Sequence, residues 1–162
     1  MNRVEHRTRA SPRGYSYGST AAIVTSVGLI IGFGAAAVSK AAVVSGLLII
    51  AFADNISDSL SIHVYQESEN LEGRAAFRAT LTNFVARLLV ALSFVGIVLV
   101  LPMASVVAIV WGIALLAGLT YVLARHRHVH PSKEIIKHLV VAFVVIVVSR
   151  MLGGWIAAHV AS

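Results

Sequence analysis

Apolar residues in this chain come in long uninterrupted runs, each near the length that crosses a lipid bilayer. The runs cover about residues 18–39, 41–63, 80–101, 103–124 and 135–160. A helix needs about 20 residues to cross the hydrocarbon of a membrane. A surface helix of a soluble protein keeps a polar face, whereas these runs have none. The pattern therefore predicts an all-α integral membrane protein, a bundle of five transmembrane helices.

The composition agrees with a chain that lies mostly in lipid. It is 58% hydrophobic and 12% charged, whereas a soluble domain has about 25% charged residues. The net charge of +6 would favour a nucleic-acid partner, but the basic residues lie in short stretches between apolar runs, where they orient a membrane protein. We therefore expect the lipid bilayer as partner and no nucleic acid. The absence of cysteine excludes disulfides and thiolate metal sites.

Residues 1–17 are predicted to form a basic tail, and residues 18–162 a single transmembrane domain. A signal peptide also begins with a basic segment, but its apolar part has about 7–15 residues. Because run 18–39 is longer, we interpret it as a retained span. Pro102 divides a stretch about twice as long as one bilayer crossing. Since proline ends a helix, the third and fourth runs are predicted to form a helical hairpin.

Lysine and arginine are divided unevenly between the two sides that five spans create. Ten of them lie in the N-terminal tail, the linker between spans 2 and 3 and the loop between spans 4 and 5, which share one side. The other side has only Lys40. Cytoplasmic segments carry the excess of basic residues. The N-terminus is therefore predicted to be cytoplasmic and the C-terminus outside, and we expect the location to be the cytoplasmic membrane of a prokaryote.

Four charged residues fall inside the predicted spans: Asp54, Asp58, Arg87 and Arg150. A charge at the centre of a span costs about 2.5–3.5 kcal/mol on insertion scales, so it needs a structural or functional reason. One reason is ion pairing that only holds the bundle together. By depth from the cytoplasmic end, Arg87 suits Asp58, and Arg150 suits Asp54 more loosely.

A second reason is a cation or proton site on span 2. At about 100° per residue, Asp54, Asp58, Ser61 and Tyr65 fall on one stripe of a helix. Carboxylate and hydroxyl oxygens bind hard cations, and intramembrane carboxylates relay protons. Asp54, Asp58 and Ser61 are therefore candidate metal ligands, with Arg87 and Arg150 as charge partners.

Two weaker signals lie elsewhere. His126, His128 and His130 alternate after span 4, where they either bind a cytoplasmic metal ion or belong to a basic anchoring loop. Gly28 and Gly32 form a G-x-x-x-G pattern that favours close helix packing or a dimer. The sequence contains no HExxH, P-loop or GxSxG motif, so we do not expect an enzyme.

The end of span 2 resembles the vacuolar iron transporter (VIT) family. There the family reads roughly Ala-Asp-Gly-x-Ser-Met-Ala-Ala-Gly-Glu-Tyr, and Ala53, Asp54 and Ser57 stand at matching positions, followed by Glu67-Ser68-Glu69. The family pattern in span 1 is Asn-Asp-Gly-x-Val-[Ser/Thr]-Thr. Further similar positions lie in span 1 and in the last span: Val24, Thr25 and Gly153-Gly154.

The chain departs from the family at several functional positions. The aspartate of span 1 falls at Ala21, the methionine of span 2 at Asp58, and Gly-Glu-Tyr at Ser61-Ile62-His63. Residues 64–79 are too short for the Glu-rich cytoplasmic metal-binding domain of many members. Of the family's metal and proton residues, only Asp54 lies at a matching position, so the resemblance implies a divergent member.

The resemblance implies a homodimeric antiporter that moves Fe²⁺ or Mn²⁺ out of the cytoplasm in exchange for protons. The metal would be the substrate, and no cofactor would be bound permanently. The alternative is a non-transporting membrane scaffold or subunit, in which the intramembrane charges only stabilise the bundle. The missing aspartate of span 1 favours the scaffold, and the additional Asp58 favours the transporter.

The charge asymmetry leads to a prediction about topology. A reporter fused after Ser162 should be external, and one inserted near Glu69 should be cytoplasmic, because the basic segments stay inside. Paired reporters, active on opposite sides of the membrane, measure both positions. A cytoplasmic signal from the fusion after Ser162 contradicts the predicted orientation.

Overall fold

The computed structural model describes residues 12–68 and 73–160 of the chain. Within them, five helical spans are long and apolar enough to cross a membrane, and no strand occurs. The predicted class, an all-α bundle with five transmembrane helices, is confirmed. Predictions on the basic tail before Pro12 and on linker residues 69–72 lie outside the described residues.

The helices extend further than most of the apolar runs. The described residues form six α-helices: α1 (Pro12–Ala35), α2 (Lys40–Ile49), α3 (Asn55–Ser68), α4 (Gly73–Val100), α5 (Ala104–His126) and α6 (Pro131–His159). A π-helical segment, Ile50–Asp54, joins α2 to α3, and together they form the second span. A helix satisfies its own backbone polar groups in hydrocarbon and in water alike. Hydropathy therefore predicted each span but not where its helix ends.

Short capped turns connect the spans at one end of the bundle. After α1, Ala37 adopts a left-handed backbone with φ 54°, and the Val38 N–H donates to the Phe33 carbonyl at 3.1 Å. This bond satisfies a carbonyl that the helix end leaves open. The Ser39 side chain then caps the start of α2. Pro102 lies in the turn between α4 and α5, so the predicted hairpin is confirmed.

Two contacts show how the spans alternate in direction. Lys40 Nζ donates to the Leu99 carbonyl at 2.6 Å, which joins the start of α2 to the end of α4. Near the end of α6, Gly153 lies against Gly32 in the last turns of α1. The described first and last spans therefore run parallel and end at the same end of the bundle. Which end faces the cytoplasm stays a prediction.

Helix α1 is the centre of the bundle. It packs against α4, α5 and α6, whereas the second span packs mainly on α4. The apolar core follows from this arrangement: Ile23, Val27, Ile30, Leu47, Phe94 and Leu116. Only 6% of the α6 span is buried, so its remaining surface is available to lipid.

Glycines allow α6 to approach α1 closely. A Cβ atom at Gly153 would lie 2.1 Å from the Gly32 carbonyl oxygen, and one at Gly28 would lie about 3.0 Å from Val145 Cγ1 and 3.1 Å from Ser149 Oγ. The G-x-x-x-G pattern of span 1 is therefore filled by α6 of the same chain. It supports packing within the chain and no longer argues for a dimer.

The two adjacent glycines of α6 provide a matched test of this contact. Gly153→Ala should lower the melting temperature in detergent, because a methyl group overlaps the Gly32 carbonyl and overpacking costs about 1–3 kcal/mol. Gly154 has no neighbour within 4 Å of the corresponding position, so Gly154→Ala should leave stability unchanged or raise it slightly. Equal melting temperatures for the two variants would contradict the close approach of α1 and α6.

Candidate functional site

Two carboxylates on the second span share one guanidinium on α4. Arg87 Nη2 lies 2.7 Å from Asp54 Oδ2, and Arg87 Nη1 donates to Asp58 Oδ2. The arginine side chain is only 3% exposed, whereas each aspartate side chain is 46% exposed. With both acids ionised, the formal charge of this Asp54–Arg87–Asp58 triad is −1. One arginine therefore leaves one negative charge uncompensated.

The local helix geometry brings both acids to α4. Asp54 is the last residue of the π-helical segment, and Asp58 follows one turn later in α3. Single π-turns inside α-helices occur frequently at functional sites. Between the two acids, Asn55 Nδ2 donates to the Phe84 carbonyl at 2.8 Å. This bond holds α3 against α4 at the level of the triad.

The triad lies inside the apolar layer. Asp54 is near the middle of the span Lys40–Tyr65, and Arg87 is near the middle of Ala76–Val100. A charge at this depth is expensive unless it is paired or hydrated. The partly exposed carboxylates therefore need a polar contact on their outer side as well as the arginine on their inner side.

The structure confirms the predicted ion pair of Asp58 with Arg87 and corrects the predicted partner of Asp54. Asp54 binds the same Arg87, whereas Arg150 is exposed on α6, which packs on α1 and α5. Within the described residues, Arg150 has no ion pair. Depth along a span can be counted from the sequence, but the lateral order of the helices cannot. The prediction for Arg150 was therefore wrong.

A layer of buried polar side chains surrounds Arg87, and the sequence analysis did not identify it. Asn83 lies one turn before Arg87 on α4 and is fully buried. A Cβ atom at Gly18 would lie 2.1 Å from Asn83 Oδ1 and 2.7 Å from Arg87 Cδ, so α1 closes this layer from the third side. Asn55 and Ser59 of α3 are also buried. The spacing of Asn83 and Arg87, one helical turn apart within an apolar run, is the sequence feature that could have indicated this buried polar layer.

The other predicted ligand and relay candidates of span 2 lie apart from the triad contacts. Ser61 is exposed, and its hydroxyl donates to the Ser57 carbonyl of its own helix at 3.0 Å. Tyr65 is 65% exposed at the end of the span. Of the four residues of the predicted stripe, only Asp54 and Asp58 reach Arg87. A ligand role for Ser61 stays a prediction.

The three histidines after span 4 have separate structural roles. His126 is the last residue of α5, His128 has a left-handed backbone with φ 53°, and His130 precedes the first turn of α6. Val129 donates to the Ala124 carbonyl at 3.1 Å, which closes the end of α5. In residues 12–68 and 73–160, no three His, Cys, Asp or Glu side chains form a metal-binding group. The loop geometry is that of a helix cap.

The arrangement of the triad allows a carboxylate to bind a proton or a cation in place of Arg87. A proton or a cation that binds to one carboxylate would replace part of its interaction with Arg87 and bring the net charge to zero or above. All four carboxylate oxygens are hard donors suited to cations that prefer oxygen. Two carboxylates are few ligands for such an ion, so the remaining ones would come from water or from a second protein surface.

The chain matches no protein-family model, no curated protein and no solved structure. The interpretation of the site therefore depends on its geometry.

Removing the shared arginine tests the energetic role of the triad. Arg87→Ala should lower the unfolding free energy by about 3 kcal/mol, near the lower end for breaking a buried ion pair, because the carboxylates are half exposed. The matched control is Lys137→Ala, which breaks the exposed pair with Glu134 and should cost at most about 1 kcal/mol. Thermal melting in detergent measures both. Equal effects of the two substitutions would show that the triad does not stabilise the bundle.

Proposed function

We propose that this chain is a proton-coupled membrane transporter in which Asp54 and Asp58 exchange between Arg87 and a transported cation. The observation that carries the proposal is one buried guanidinium shared by two half-exposed carboxylates at the middle of the membrane. Intramembrane ionisable residues with an exposed side commonly belong to ion pathways and proton relays.

The formal charge of −1 on the triad favours a site that exchanges a proton or a cation over a site that Arg87 neutralises permanently. A triad that served only to hold helices together would be most stable with equal numbers of acids and bases, because an uncompensated charge in hydrocarbon is costly. Here the second carboxylate requires a proton or a cation. When a divalent cation binds both carboxylates, Arg87 loses two partners and the local charge becomes positive, which favours release of the ion.

Fe²⁺ or Mn²⁺ leaving the cytoplasm in exchange for protons is the substrate that the sequence resemblance supports. Ala53, Asp54 and Ser57 correspond to the VIT family at the triad itself. The outward-facing carboxylates also support a homodimer, since a second copy of the chain would cover them and supply further oxygen ligands. In this proposal the chain resides in the cytoplasmic membrane of a prokaryote.

A second candidate is a non-transporting scaffold or subunit. The observation in its favour is that both acids already contact Arg87. If the guanidinium never leaves them, a cation meets no free carboxylate and the triad acts only as a helix clamp.

Transport across proteoliposomes separates the two candidates. Asp54→Asn should abolish proton movement driven by Fe²⁺ or Mn²⁺, because asparagine keeps the size of the side chain but loses its charge and its titratable proton. Asp58→Met introduces the residue of the resembled family and should retain some flux, shifted towards softer metals. A pH-sensitive dye inside the vesicles reports each result.

The control for these variants is Glu134→Gln, an equivalent change of acid to amide at the start of α6, away from the triad. It should transport like the wild type. Wild-type vesicles that give no proton signal with Fe²⁺, Mn²⁺, Co²⁺ or Zn²⁺ at several pH values would overturn the transporter and leave the scaffold.

A further inference from the structure

Several buried polar atoms around the triad have no hydrogen-bond partner within the described part of the chain. They are Asn83 Oδ1 and Nδ2, Asn55 Oδ1, Ser59 Oγ and Arg87 Nε. All four residues are at most 6% exposed. They belong to α3 and α4, and Gly18 of α1 closes the same layer. Donors and acceptors are both represented, so the set is complementary to a ligand that can donate and accept.

The energetics require partners for these atoms. A buried donor or acceptor without a hydrogen bond costs about 1–3 kcal/mol. Native proteins satisfy such groups with protein atoms or with ordered water, and a buried water makes about three hydrogen bonds. Lipid chains offer neither donors nor acceptors. Water is small enough to enter a packed helix interface, and it both donates and accepts hydrogen bonds as this pattern of atoms requires.

The geometry brings a free donor and a free acceptor to the same place. Asn83 Oδ1 and the Arg87 Cδ atom lie against the same point of α1, namely the position of a Cβ atom on Gly18. Arg87 Nε is bonded directly to Cδ and has a hydrogen to donate. A water molecule beside these two groups would accept from Nε and donate to Oδ1. Across the interface, Asn55 Oδ1 offers a further acceptor and Ser59 a hydroxyl.

We propose that this layer holds a small cluster of buried water molecules that hydrates the inner side of the triad. Water reaches the layer past the half-exposed carboxylates of Asp54 and Asp58. The hydration site is argued from the buried polar atoms alone and does not depend on the proposed transport function.

Water-edited solid-state NMR of the ¹⁵N-labelled protein in lipid bilayers tests the hydration site directly. The side-chain amide of Asn83, identified by its loss in an Asn83→Leu variant, should receive magnetisation from water several-fold faster than the backbone amide of Leu47. Leu47 lies in the apolar core and is fully buried, so it provides the dry reference. Equal transfer rates at the two amides would overturn the hydration site.

The outcome is independent of the transport proposal. Rapid water transfer to Asn83 in vesicles whose wild-type protein gives no proton flux would overturn the transport function while confirming the hydration site.

Discussion

Hydrocarbon offers no hydrogen-bond partners, and most features of this bundle follow from that constraint. Backbone groups satisfy one another within helices. Helix ends are closed by turns, such as the bond from Val38 to Phe33, or by a side chain, as where Lys40 donates to the Leu99 carbonyl. The same constraint brings Arg87 to Asp54 and Asp58. The described buried polar groups without a hydrogen-bond partner are exceptions to this constraint, and most of them lie beside the triad.

The packing around α1 determines where a functional surface can lie. Three helices surround α1, and glycine allows α6 to approach it until Gly153 contacts the Gly32 carbonyl. The second span stays at the edge of the bundle and packs mainly on α4. The acids of that span are consequently half exposed, whereas their arginine is buried. This division suits a site in which the acids meet an exchanging ion while the arginine remains fixed.

Transporter and scaffold use the same residues but require different behaviour from Arg87. In a scaffold the guanidinium stays bound to both carboxylates and only holds the second span against α4. In a transporter each carboxylate leaves the fixed guanidinium when it binds a proton or a cation, and it returns to the guanidinium afterwards. Within the triad, the negative charge that one arginine leaves uncompensated is costly in hydrocarbon, so a purely structural clamp would be more stable with a single acid.

The sequence by itself determined the five spans, the turn at Pro102 and the presence of charges at mid-membrane depth. Each of these depends on a residue's own transfer energy or on its position along one helix. The partner of Asp54, the position of Arg150 on α6 away from both acids and the packing of α6 on Gly28 and Gly32 were decided only by the tertiary structure. These features depend on which helices are neighbours. In lipid that lateral order follows from side-chain packing between surfaces of similar hydrophobicity, which a hydropathy pattern does not distinguish.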